Sequence, residues 1–186
     1  DSSTSRGLGD VYKRQVRYIS NNSSGKMGYA LAEAAVQEGA IVNLVSGPVV
    51  LAADKSINLF KINSASEMLE AVNTCMKSSD IFISCAAVAD YKPSKYSDTK
   101  IKKENLDNLE INLEKNHDIL SEVAEQFSSA YIVGFAAETS NVNSNAKKKL
   151  DSKNLNMIIS NDVSDTSIGF DSCLLYTSDA ADEEDS

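Results

Sequence analysis

Cysteine is scarce in this chain: Cys75, Cys85 and Cys173 are the only three, and they are widely spaced. They match neither the paired spacings of a zinc site nor a disulfide framework. Cys75 falls in a helical pattern and Cys85 ends an apolar strand, so both are expected to be small core residues. Histidine is scarcer still, with His117 alone, and no Ser-His-Asp or Cys-His arrangement stands out. Tryptophan is absent. No apolar run approaches the roughly 20 residues that a membrane helix needs. No signal-peptide pattern opens the residues, and no repeat or low-complexity block is present. With 42% hydrophobic and 24% charged residues in 186, the expectation is one cytoplasmic domain with a real core and no membrane partner.

Basic residues are outnumbered, 18 Lys and Arg against 27 Asp and Glu, for a net charge of −9. Much of that excess sits at one end. Asp179, Asp182, Glu183, Glu184 and Asp185 fall in residues 173–186, which carry no base. The remainder is mildly acidic, a poor prospect for nucleic-acid binding. Local convergence of lysines still leaves room for an anionic small molecule.

Glycine-rich nucleotide fingerprints are missing too. In Ser20-Asn21-Asn22-Ser23-Ser24-Gly25-Lys26-Met27-Gly28, Ser20 stands where a Walker A loop needs its first glycine. Met27 stands where that loop needs Ser or Thr, and Gly25 and Gly28 lack the earlier glycine of a dinucleotide fingerprint. What is there is a run of short polar residues opening a helix. Free N–H groups and the positive dipole end make such a start an anion site. Ser and Asn are also good caps, so a capped helix without a ligand is the alternative.

Helices and strands alternate. Lys26–Glu38 reads as a helix with Ala30, Leu31, Ala34 and Ala35 on one face, ending at Gly39. Ile41–Ser46 and Ile57–Ile62 read as strands. Ala65–Lys77 reads as a helix with Met68, Leu69, Val72 and Met76 at helical spacing, the methionines as core filler. Asp80–Cys85 reads as a buried strand, Leu109–Leu113 as a half-exposed one, and His117–Phe127 as a helix. Tyr131–Phe135, a helix over Asn145–Lys153, and Leu155–Ser160 follow. This alternation implies an α/β, Rossmann-like doubly wound, mostly parallel sheet, with its site at the carboxyl ends of the strands.

Val16-Arg17-Tyr18-Ile19-Ser20-Asn21 through Gly28 resembles the substrate loop of phosphopantothenoylcysteine synthetase, the ligase of coenzyme A biosynthesis. Four further segments resemble the same family, in its order: Ala86-Ala87-Val88-Ala89-Asp90-Tyr91, Lys100-Ile101-Lys102-Lys103, Asn116-His117-Asp118-Ile119-Leu120, and Val133-Gly134-Phe135-Ala136-Ala137-Glu138-Thr139. Lys149, Lys153 and Asn161-Asp162-Val163 stand where the family has them. The resemblance spans residues 16–172, the expected ligase domain. Residues 1–15 and 173–186 are expected to be foreign to the fold, because Gly9–Gln15 and Cys173–Glu183 resemble translated sequencing adapter. The family's first strand, which ends in a Gly-Pro-Thr turn before Val16, is expected to be missing.

The resemblance implies an acid–amino-acid ligase. It would join 4′-phosphopantothenate and cysteine through an acyl-cytidylate, with CTP giving CMP and pyrophosphate. It assigns Lys100 to steadying the triphosphate and Asn21 to holding the acyl-nucleotide carbonyl. Ser23, Ser24 and Gly25 would hold substrate oxygens. Ser84, Cys85, Ala86, Asp90, His117, Asp118, Ile119, Leu120, Phe135, Lys149 and Lys153 would contact the nucleotide. His117 stands where the family often has proline, and it would cap the following helix or touch the nucleotide. Magnesium would arrive with CTP and need no dedicated ligand cage. FMN would matter only in a fused decarboxylase domain. The full-length protein would be a homodimer. Bland readings stand beside these: Asn21 as a turn residue, Lys100 as part of a solvated charge run, and Lys149 and Lys153, four apart, as surface lysines.

Two other readings compete. Tyr91-Lys92-Pro93-Ser94-Lys95 matches the Tyr-x-x-x-Lys pair of an NAD(P)-dependent short-chain dehydrogenase, but Pro93 opposes the helix that pair requires. A non-catalytic nucleotide-binding module would bind CTP without releasing pyrophosphate.

Overall fold

Twelve elements order the chain in a computed structural model that describes residues 23–94, 111–138, 142–162 and 175–179. They run α1 (Lys26–Gln37), β1 (Asn43–Ser46), β2 (Asn58–Lys61), α2 (Ala65–Met76), β3 (Ile81–Ser84), β4 (Tyr91–Pro93), β5 (Leu113–Lys115), α3 (Ile119–Gln126), β6 (Tyr131–Glu138), α4 (Val142–Ser152), β7 (Met157–Asp162) and β8 (Leu175–Asp179). The protein is α/β with mostly parallel pairing. β1 pairs β2, β3 pairs β6 and β6 pairs β7 in parallel, while β4–β5 and β7–β8 are antiparallel. β8 lies in the acidic segment set outside the domain above, and its backbone closes the outer edge of β7.

Two compact units divide these elements. The first takes in residues up to Gly25, Tyr29–Ala71 and Ala86–His117. It holds the parallel pair β1–β2 and the ribbon β4–β5. The second takes in Lys26–Gly28, Val72–Cys85 and Asp118–Ser186. It holds the four-stranded sheet β3-β6-β7-β8. Among the described residues β1 pairs only β2 and β3 pairs only β6.

Local chemistry explains the helix ends. At the end of α1, Gly39 N–H donates to Val36 O and Ala40 N–H to Ala35 O, with Gly39 at φ 89°. This is a Schellman closure on the expected glycine. The end of α4 repeats it without glycine: Asn154 N–H donates to Asp151 O and Leu155 N–H to Leu150 O, with Asn154 at φ 52°. Helix α2 opens on a serine–glutamate exchange. Glu67 N–H donates to Ser64 Oγ at 3.2 Å, and Asn63 N–H donates to the Glu67 carboxylate at 2.9 Å.

Several expectations need correction. The buried side chains of α1 are Tyr29 and Ala32, whereas Ala30 and Ala34 are exposed. Small alanines do not fix a face; Tyr29 does, by burying its ring and donating its hydroxyl to Ser46 Oγ at 3.2 Å. Strand β3 is not buried on both faces, because Ile81 is 59% and Ile83 40% exposed. A short apolar run cannot report which of its faces is covered. The strand expected to end at Leu113 instead runs from Leu113 to Lys115, with every residue exposed. On α2 the expectation held, with Met68, Val72 and Met76 all buried.

Candidate functional site

The sheet of the second unit sets the frame. Strand β3 ends at Ser84, whose register partner on β6 is Gly134. A Cβ on Gly134 would lie 2.8 Å from Leu155 Cδ1 and 3.1 Å from Leu120 Cδ2. The bare glycine thus lets β6 press against Leu120, in the first turn of α3, with Phe135 next along the strand. Just past β3, Cys85 lies under α1: a Cβ on Gly28 would be 3.2 Å from its sulfur. Burial pushes the Cys85 thiol up, against a smaller opposing backbone hydrogen bond, and burial likewise raises Cys75. Both stay neutral thiols at pH 7, and neither is an activated nucleophile.

Asp118 caps α3. Its carboxylate accepts from Ser121 N–H at 3.1 Å and from Lys153 Nζ at 2.6 Å. The cap is therefore Asp118 and not His117. A short carboxylate reaches the third amide of a helix, a role for which Asp is preferred. Burial alone would raise the Asp118 pKa. The Lys153 and Ser121 hydrogen bonds, with the lysine's charge, outweigh it and hold the carboxyl below its usual range. Lys153 sits just past the last residue of α4, and one turn back Lys149 Nζ donates to Phe135 O at 3.1 Å. The two lysines therefore serve different acceptors, one on β6 and one at the start of α3. Ile119 and Leu120 turn their side chains into the core, at 5% and 7% exposure, so what they can offer a ligand at the helix start is backbone.

In the first unit, Gly25 stands before α1 in the left-handed region at φ 73°, with no side chain capping the helix. Glycine brings no capping side chain of its own, and the start of α1 carries the positive end of the helix dipole. A Cβ on Gly25 would lie 3.0 Å from Val49 Cγ1 and 3.6 Å from Leu51 Cδ1. The segment after β1 thus packs on the Ser23-Ser24-Gly25 loop. Ser46, whose Oγ donates to Gly47 O at 3.1 Å, anchors that segment together with Tyr29. Ala86 and Asp90 lie on the loop between β3 and β4. His117 is exposed, directly before the α3 cap.

The structure thus joins Asp118 to Lys153, Phe135 to Lys149, and Leu120 to the glycine beside Phe135. Asn21 and Lys100 lie outside the described residues. The Tyr91 and Lys95 pair fails as a dehydrogenase motif, since Tyr91–Pro93 is strand β4 and not a helix. Sequence reasoning missed Tyr29 and Ser46, whose hydrogen bond spans 17 residues and leaves no local pattern. It also gave Asn116 no role, although Asn116 opens one of the quoted motifs. Among the described residues no three His, Cys, Asp or Glu side chains gather as metal ligands, and no helix is long and apolar enough to cross a membrane.

A family model described as the DNA/pantothenate metabolism flavoprotein C-terminal domain matches residues 13–179. The chain belongs to this family. Within it, the chain is 52% identical over 159 residues to the coenzyme A biosynthesis bifunctional protein CoaBC of Vibrio parahaemolyticus, covering 84% of this chain and 40% of that protein. The like-named protein of Escherichia coli is 49% identical over 160 residues, covering 84% of this chain and 39% of that protein. The chain therefore spans about two fifths of the curated relatives it matches. The crystal structure of the C-terminal domain of coenzyme A biosynthesis bifunctional protein CoaBC superposes with a TM-score of 0.73 at 42% identity, covering 85% of this chain and 74% of that one. The family membership read from five ordered motifs is borne out, as is the α/β fold of this pantothenate-metabolism domain.

Proposed function

We propose that this domain is the phosphopantothenate–cysteine ligase of coenzyme A biosynthesis. The carboxylate of 4′-phosphopantothenate attacks the α-phosphorus of CTP, the bond to the β-phosphate breaks, and pyrophosphate leaves. The amine of cysteine then attacks the acyl carbon, loses a proton, and expels CMP. Both steps need fixed positive charge and donors where negative charge builds, and neither needs a covalent nucleophile. Neutral, half-buried thiols and a lone exposed histidine are compatible with that.

The observation that carries this reading is the 52% identity over 159 residues with a coenzyme A biosynthesis protein, together with its five motifs in order. The start of α1 after Ser23-Ser24-Gly25, with its positive dipole end, suits an anionic substrate. Ser84, Cys85, Ala86, Asp90, His117, Asp118, Ile119, Leu120, Phe135, Lys149 and Lys153 take the nucleotide in this reading. Lys100 meets the triphosphate and Asn21 the acyl carbonyl. Magnesium would travel with the triphosphate, held mostly by phosphate oxygens and water, and would neutralise its charge. Residues 16–172 form the ligase part, FMN belongs to a fused decarboxylase domain, and the full-length protein is a cytoplasmic homodimer.

Pyrophosphate release with 4′-phosphopantothenate, measured with CTP, ATP, GTP and UTP, tests the reading. CTP should be preferred. Nucleotide binding without pyrophosphate release in the full-length protein would overturn it in favour of a non-catalytic module.

A further inference from the structure

Asn116 makes two hydrogen bonds to consecutive carbonyls of the loop that follows β3. Its main-chain N–H donates to Asp90 O at 2.7 Å, and its side-chain Nδ2 donates to Ala89 O at 3.1 Å. The residue is 7% exposed, and its side-chain Oδ1 is buried with no hydrogen-bond partner. The main-chain bond is open to any residue except proline, and it extends the ladder in which Tyr91 faces Lys115. The side chain adds one bond and leaves one acceptor buried and unsatisfied. Those two effects oppose each other, so the amide brings the fold little net stability.

What the amide does fix is geometry. With both bonds made, the Ala89 and Asp90 carbonyls point at one residue, and the loop cannot rotate about either peptide. We infer that Asn116 is a positioning residue for nucleotide binding: its amide holds the loop carrying Ala86 and Asp90 in place. This inference rests on the ligase reading above, which gives Ala86 and Asp90 to the nucleotide. Asn116 is given no contact with substrate in this account: its Nδ2 is engaged with Ala89 O and its Oδ1 is buried.

Two variants in the full-length protein separate positioning from plain stability. Asn116→Leu keeps the shape and removes both the donor and the unpaired acceptor. Asn116→Asp keeps the shape and replaces the donor with an acceptor facing Ala89 O. Melting temperature, amide hydrogen exchange over residues 86–90, and KM and kcat for CTP are measured for each. We expect Asn116→Leu to melt close to wild type while exchange over 86–90 quickens. Its KM for CTP should rise about tenfold, the scale of a modest misplacement, with kcat within about threefold of wild type. Asn116→Asp should show the same split, with lower stability. Unchanged exchange over 86–90 in a folded Asn116→Leu variant would overturn the inference, and so would faster exchange with an unchanged KM. The exchange measurement needs no turnover. Wild-type protein that releases no pyrophosphate therefore counts against the ligase reading, while the exchange result still decides whether Asn116 holds the loop.

Discussion

Lys153 Nζ lies 2.6 Å from Asp118 Oδ2, joining the residue just past α4 to the cap of α3 across 35 positions of sequence. One turn earlier, Lys149 Nζ donates to Phe135 O. The two cations that family resemblance gives to the nucleotide are thus each held by a protein acceptor, and the acceptors, Asp118 and Phe135, are themselves given to the nucleotide. A change at Asp118 therefore alters both the cap of α3 and the charge that Lys153 offers a ligand.

The first prediction concerns pH. The folded pKa of Asp118 lies below its unfolded value, so the pair stabilises the fold above the ordinary carboxylate range, about pH 4. That stabilisation is lost as pH falls through the folded value. The Asp118 side chain is 42% exposed, so solvent screening limits the pair to roughly 0–1 kcal/mol. Asp118→Asn keeps a capping acceptor and loses only the charge. Urea denaturation should show it slightly less stable than wild type at pH 7, with the gap narrowing as pH falls below the ordinary carboxylate range. Asp118→Ala should lose about 1 kcal/mol more, through the cap. A gap between wild type and Asp118→Asn that stays constant from pH 7 to 3 would refute the assignment.

Gly134→Ala should destabilise by about 1–3 kcal/mol, the usual range for overpacking. The new methyl would lie 2.8 Å from Leu155 Cδ1, and Leu155 and Leu120 are 5% and 7% exposed, with little room to retreat. Combining it with Leu155→Val should recover part of the loss. Thermal melts of the single and double variants decide this, and additive losses would show that the clash is not the cause.

Local chemistry made much of the fold legible. Gly39 announces the end of α1, and Met68, Val72 and Met76 announce the buried stripe of α2. What escaped notice depends on partners far along the chain. Strand β4 is three residues with a proline, and its existence depends on Leu113–Lys115 about 20 residues later. Ile81 and Ile83 alternate along β3 and share its exposed face, and no local run can report which face is covered. In the candidate site, residue types were readable at Asp118, Lys149 and Lys153, but their pairing was not. Equal spacing placed both lysines on one face, yet the fold gives each a different acceptor.

Asn154 should tolerate glycine and little else. Its φ of 52° closes α4, and side chains beyond Asn and Gly lose about 1–2 kcal/mol in that region. Asn154→Gly should melt at or above the wild-type temperature and Asn154→Ala below it. Equal melting of both variants would mean the turn relaxes out of the left-handed region.

The proposed ligase chemistry separates into halves at two residues outside the described set. In the full-length protein, Lys100→Ala should cut pyrophosphate release by about 10²–10³-fold, the usual loss when one stabiliser of transition-state charge is removed. Asn21→Asp should still release pyrophosphate at close to the wild-type rate. It should then stall, because an amide donor has become an acceptor-only anion beside the oxygen where negative charge builds during amine attack. Quenched reactions should accumulate the acyl-cytidylate in Asn21→Asp and not in Lys100→Ala. Added cysteine should clear that intermediate slowly in the variant and at once in wild type. If Asn21→Asp instead blocks pyrophosphate release while an acyl-cytidylate supplied ready-made is converted at the normal rate, the assignment of Asn21 to the second step is wrong.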